Sequence, residues 1–151
     1  MNEPDLAILV VGAARVVADR LGAAVVAAGI DDMSTRFGFV VRALADRDRT
    51  LTELAELLAV SKQAAIKVVD EMEARGFLDR VAHPGDRRVK LLRLTAKGRA
   101  VRAAALAASH DLEAQLRETA GDGEVDAFLR TLHAFLATHD ATPTTHSRAL
   151  W

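Results

Sequence analysis

Two helix starts lie eleven residues apart, at Thr50 and Ser61, and no other feature of the chain restricts the fold as much. Thr50-Leu51-Thr52-Glu53 is a capping box, in which the threonine hydroxyl bonds forward to the main chain while the glutamate reaches back. The helix it opens, about 52–58, keeps Leu54, Leu57 and Leu58 on one side. Ala59-Val60 then leaves room only for a tight turn before Ser61, a second N-cap. A helix over 61–75 follows and stops at Gly76, a residue suited to the left-handed C′ position. Two apolar-sided helices joined this closely must cross and share a core.

After Gly76 the periodicity changes. Residues 77–82 (FLDRVA) and 89–94 (VKLLRL) suit strands, and Pro84-Gly85 between them is turn chemistry. Helix, tight turn, helix and hairpin together define a winged helix-turn-helix. The fold class expected is mainly α with a small β-hairpin wing, attached to a helical dimerisation domain.

The flanks are helical. Residues 5–28 are apolar nearly all round, relieved mainly by Arg15, Asp19 and Arg20, and end at Gly29. A helix without a clear polar face has to be covered on several sides, and a partner subunit is the expected cover. Ser34 is placed to cap a helix over 35–46, and the polar run 46–49 reads as a turn. Thr95 caps a long helix over 96–119, Gly121-Asp122-Gly123 interrupts it, and an amphipathic helix covers 124–138. The expected division is 1–34 and 96–140 for dimerisation, 35–95 for the winged domain, and 141–151 as a tail without periodicity. The N-terminus has acids where a secretory signal needs bases, and charges interrupt the apolar run before a membrane span is complete. With no cysteine among 151 residues, disulfides and thiolate chemistry are excluded and a cytoplasmic location is expected.

The formal net charge of −1 conceals an asymmetry. Ten basic residues face five acidic ones between Ser61 and Arg99, so this segment has an excess of five and the remainder a deficit of six. One basic segment in an acidic chain fits a molecule that meets a polyanion on one face. Along 61–75, Ala65, Val68, Val69 and Met72 recur at helical spacing and should pack inward. Lys62, Gln63, Ile66, Lys67 and Asp70 should then point away. Gln63 can pair with adenine, Lys62 and Lys67 can meet guanine or phosphate, Ser61 can reach a phosphate, and Ile66 suits a thymine methyl. For each of these the bland reading is a solvated helix face. In the wing, Asp86 and Arg88 would lie on one side of an extended tip, so that the carboxylate could hold the guanidinium for a narrow minor groove. Arg87 would point the other way, toward phosphate.

The segment LTELAELLAVSKQAAIKVVDEMEARGFLDR, followed by HPGDRRVKLLRLTAKGR, resembles the MarR (multiple antibiotic resistance regulator) family of bacterial transcription factors. The resemblance runs from the first helix to about residue 138 and is carried by Leu54-Ala55, Ser61, Asp70, Glu73, Arg75-Gly76, Pro84, Asp86-Arg87-Arg88, Leu94-Thr95 and Lys97-Gly98. It implies a homodimer interlocked through its terminal helices, two winged helices on a pseudopalindromic double-stranded DNA operator, and repression relieved by a small-molecule effector. It also places the wing pair on Asp86 and Arg88, and recognition-helix contacts on Ser61, Lys62, Gln63 and Lys67. The chain departs from the family pattern in having His83 before Pro84 and in the stretch GIDDMSTRFGF.

Two rival readings follow from the same residues. The five histidines lack HExxH or other metal spacing, and no nucleophile elbow or phosphate-binding glycine loop occurs, so neither an enzyme, a cofactor nor a metal site is expected. The other rival is a winged helix used for protein–protein contact without specific DNA binding. The basic residues at 62, 67, 87 and 88 argue against it.

Overall fold

The computed structural model describes residues 5–138. The expected tail 141–151, which includes His146, lies outside them, as do His139 and Asp140 at the end of the expected dimerisation segment. Six helices and three short strands follow in order: α1 (Leu6–Ala27), α2 (Thr35–Ala43), β1 (Arg49–Thr50), α3 (Leu51–Leu57), α4 (Lys62–Ala74), β2 (Leu78–Ala82), β3 (Lys90–Leu94), α5 (Ala96–Ala120) and α6 (Asp122–Thr138).

Local chemistry fixes most boundaries. Asp5 caps α1 by accepting from the Ile8 N–H at 3.0 Å, and Gly29 takes the left-handed conformation just after its end. The Thr50–Glu53 capping box forms in full at the start of α3, with the Thr50 N–H donating to the Glu53 carboxylate at 2.7 Å. Those bonds, first from the Thr50 backbone and hydroxyl and then from Arg47, hold the Glu53 carboxyl down at about 2. The Ser61 hydroxyl accepts from the Ala64 N–H to start α4, and Thr95 accepts from the Gly98 N–H to start α5.

Several expectations are corrected. The helix expected to reach residue 46 stops at Ala43, because Leu44 turns inward to the core and the chain bends to enter β1. Ser34 occupies the cap position of α2, but its hydroxyl makes no cap bond. Arg49-Thr50, expected as turn and cap, also forms a strand: it pairs antiparallel with Leu92-Leu91 and makes the hairpin a three-stranded sheet in the order β1-β3-β2. Only Gly121, at positive φ, breaks the C-terminal helices, and α6 already begins at Asp122.

The core lies under the winged region. Phe37, Leu54, Leu58, Val69, Met72, Phe77 and Leu78 are fully buried, and the Phe37 and Phe77 rings meet edge to face at 5.5 Å. α5 runs out from this core, with α1 and α6 packed along it. These three helices form an arm whose apolar residues are largely uncovered: Leu6, Ile8, Val11, Leu106 and Phe128 are all about half or more exposed. Among the described residues, no helix is long and apolar enough to cross a membrane.

Candidate nucleic-acid interface

The inward set on α4 is as expected: Ala65, Val68, Val69 and Met72 are buried. The periodicity therefore leaves Ser61, Lys62, Gln63, Ile66 and Lys67 exposed along one outer side. Ser61 spends its oxygen lone pair on the cap, which leaves its hydroxyl proton free for an acceptor outside the protein. Ile66 is 36% exposed, so it offers a methyl surface beside polar neighbours.

The ten basic residues divide into two groups. Arg75, Arg80, Arg93 and Lys97 each hold a carboxylate, respectively Glu71, the Asp70–Glu73 pair, Asp48 and Asp32. Arg99 donates to the Leu94 carbonyl. Lys62, Lys67, Arg87, Arg88 and Lys90 enter no ion pair among the described residues, and all five are exposed. The uncommitted cations thus sit on the N-terminal half of α4 and on the wing.

Sequence reasoning missed the clamp that makes this division effective. Arg80, on β2, reaches back to Asp70 at 2.6 Å and to Glu73, both on α4. Asp70 lies on the outer side of α4, where a bare carboxylate would repel phosphate. With Arg80 bound to it, that side keeps a net positive character. The signal was available only as a charge pattern, since nothing in the spacing of Asp70 and Arg80 shows that a strand folds back beside a helix.

The wing differs from expectation in one bond. Residues 86–89 form a turn closed by the Val89 N–H donating to the Asp86 carbonyl at 3.0 Å. Asp86 Oδ1 accepts from the backbone N–H of Arg88 at 2.9 Å, not from its guanidinium. A side chain two residues back in a turn faces the main-chain N–H, whereas the expected pairing needed an extended tip. Asp86 consequently fixes where the Arg88 side chain leaves the backbone, and the guanidinium stays uncommitted. The base of the tip is closed by the His83 N–H donating to the Val89 carbonyl, and the Gly85 N–H donates to His83 Nδ1, both at 3.0 Å.

Other hollows lack this character. One of about 260 Å³ is lined by Arg47, Arg93, Arg99 and Arg102, but Asp48 and Asp46 occupy two of these guanidinium groups. Another, about 340 Å³, lies along α5 beside His110, Glu113 and Arg117. Arg117 is committed there to Glu113, Asp126 and Asp122, which raise its pKa further. Among the described residues, no three His, Cys, Asp or Glu side chains could hold a metal ion together.

A three-stranded wing behind a helix-turn-helix, with free cations on its second helix and its tip, defines a winged-helix protein of the DNA-binding class. Residues 38–89 match the model of the MarR family. The fold is shared with RV1404 from Mycobacterium tuberculosis at a TM-score of 0.71, with 23% identity over 91% of this chain and 96% of that one. CouR from Rhodococcus jostii RHA1, solved bound to p-coumaroyl-CoA, is 25% identical at a TM-score of 0.64, covering 87% and 91%. CouR described as a transcriptional repressor bound to a 23-mer DNA duplex is 28% identical at 0.64, covering 87% and 92%. Nothing among curated protein sequences matches. The family match thus falls on the winged-helix segment, and the chain as a whole has the fold of MarR-type transcriptional regulators.

Proposed function

We propose that the protein is a homodimeric repressor that binds a pseudopalindromic operator, with α4 in the major groove and the 83–88 wing tip in the minor groove. The carrying observation is the division of cations: those on the DNA-facing side are uncommitted, while Arg75, Arg80, Arg93 and Lys97 are paired with carboxylates and Arg99 with a main-chain carbonyl. Ser61, Lys62, Gln63, Ile66 and Lys67 read or border the bases, Arg87 meets phosphate, and Arg88, set by Asp86, enters the minor groove. The arm, 1–34 with 96–140, supplies the dimer, for which the exposed apolar side of α1 is the support. Two-fold symmetry then sets half-sites about one helical turn apart. Relief by a small-molecule effector is part of the reading, supported by the p-coumaroyl-CoA found in CouR.

Fluorescence anisotropy on DNA from the gene's own upstream region, with salt varied, tests this. Wild-type protein should bind specifically, and Arg88→Ala should lose about 1–3 kcal/mol. Binding to every duplex tried that salt erases without sequence preference would overturn the proposal in favour of a protein-contact module.

A further inference from the structure

The recognition helix is tied to the arm at its far end, away from the DNA-facing residues. Arg75 caps α4, and its guanidinium donates to the main-chain carbonyl of Asp32, in the loop between α1 and α2, at 2.8 Å. Lys97, in the first turn of α5, donates to the Asp32 carboxylate at 2.9 Å and to the Arg75 carbonyl at 3.0 Å. Both cations also lie over the two central rings, Arg75 5.3 Å from the Phe37 centroid and Lys97 4.1 Å from that of Phe77. The bond from Lys97 keeps the Asp32 carboxyl below its ordinary range. Three separate pieces of chain, the α1–α2 loop, the end of α4 and the start of α5, therefore converge on one residue.

We propose that Asp32 is a positioning residue for DNA recognition, whose carboxylate acts through Lys97, beside the main-chain bond from Arg75, to fix the angle between α4 and the arm. This rests on the DNA-binding reading above. The chemistry favours geometry over stability as its role. Lys97 and Asp32 are each more than a third exposed, and an ion pair so placed contributes little to folding. The α4–α5 connection through β2 and β3 is already held by the Thr95 hydroxyl on the Gly76 carbonyl at 2.6 Å. Asp32 adds a second attachment, from the α1–α2 loop, and two attachments define an angle where one permits a swivel. In a dimer that angle sets the separation of the two recognition helices, and so the spacing of half-sites they can read.

The chain has no native cysteine, so a label pair at Glu56→Cys on α3, which packs against α4, and Glu118→Cys on α5 reports how the helix-turn-helix sits on the arm. Both positions are exposed. Distance distributions from electron–electron double resonance, on full-length protein diluted with unlabelled chains, should broaden in Asp32→Ala and in Lys97→Met, which keeps the stem on Phe77. Unlabelled, both variants should bind operator about three- to tenfold more weakly, with Asp32→Asn between them and wild type. The slope of affinity against salt should not change, because no phosphate contact is lost. An unaltered distance distribution in both variants overturns the proposal, whatever happens to affinity. A reduced salt slope for Lys97→Met overturns it too, since Lys97 would then be a phosphate ligand. Should wild type bind no specific duplex, the regulator reading fails, while the distance measurement still decides whether Asp32 sets the angle.

Discussion

The winged domain and the helical arm handle apolar side chains in opposite ways. In the winged domain thirteen-residue α4 buries four residues, and nine-residue α2 buries Phe37, Val40, Val41 and Ala43. In the arm, twenty-two-residue α1 buries only Val25, although its composition is the more apolar. The first region closes its core with its own chain. The second spreads Leu, Ile and Val around a helix whose main neighbour among the described residues is α5, and most of its free energy of burial has yet to be realised. A closed core and an open apolar surface are thus assigned to different parts of one short chain.

That contrast can be broken most forcefully in the core. Phe77→Ala removes a ring in contact with Phe37 and should destabilise the protein by about 3–5 kcal/mol, seen as a drop in Tm that does not depend on protein concentration. Charge placed on the arm should behave differently. Leu9→Glu with Val16→Glu puts two carboxylates on one side of α1 and should weaken the proposed dimer by roughly 100-fold or more, read by sedimentation equilibrium, with a Tm that no longer rises with protein concentration as the wild type's should. Equal sedimentation of this variant and wild type would mean that α1 is covered in some other way.

Smaller effects sharpen the comparison within the winged domain. Thr50→Ala should cost about 1 kcal/mol by opening the capping box at α3. Glu53 adds a pH dependence whose sign follows from its lowered pKa. Because the folded carboxyl sits near 2 against an ordinary 4.5, its stabilisation is complete above about 4.5 and is lost as pH falls toward 2. Denaturant midpoints measured across that window should decline less steeply in Glu53→Gln. Least of all, Ala59→Gly should raise stability by about 0.5 kcal/mol, since Ala59 joins α3 to α4 at a φ of 53°.

The features legible in the sequence were those written in local chemistry. Ser61, Thr50, Thr95 and Gly76 each announce a helix end through a side chain, or its absence, acting within three or four residues. The inward and outward sides of α4 follow from a period the backbone imposes. What was not legible depends on chain segments meeting from a distance. β1 is two residues long and polar, and exists only because Leu91 and Leu92 supply its hydrogen-bond partners. Arg80 and Asp70 look like scattered surface charges until β2 folds beside α4. Asp86 was expected to hold the Arg88 guanidinium but accepts from the Arg88 backbone N–H, because an extended tip and a turn place the same side chain against different groups. The arm's need for cover was visible as an all-round apolar helix, and the structure leaves that side open.

The Arg80 clamp has a consequence for how such a protein could change its target. A strand residue grips two carboxylates on α4, so the helix cannot roll about its own axis without parting from the sheet. In the proposed complex the roll decides whether Gln63, Ile66 or Lys67 looks squarely at a base edge. Replacing Arg80 with a shorter cation would then turn the outer row of α4 as a unit, shifting preference along the proposed operator while every side chain in that row stayed the same.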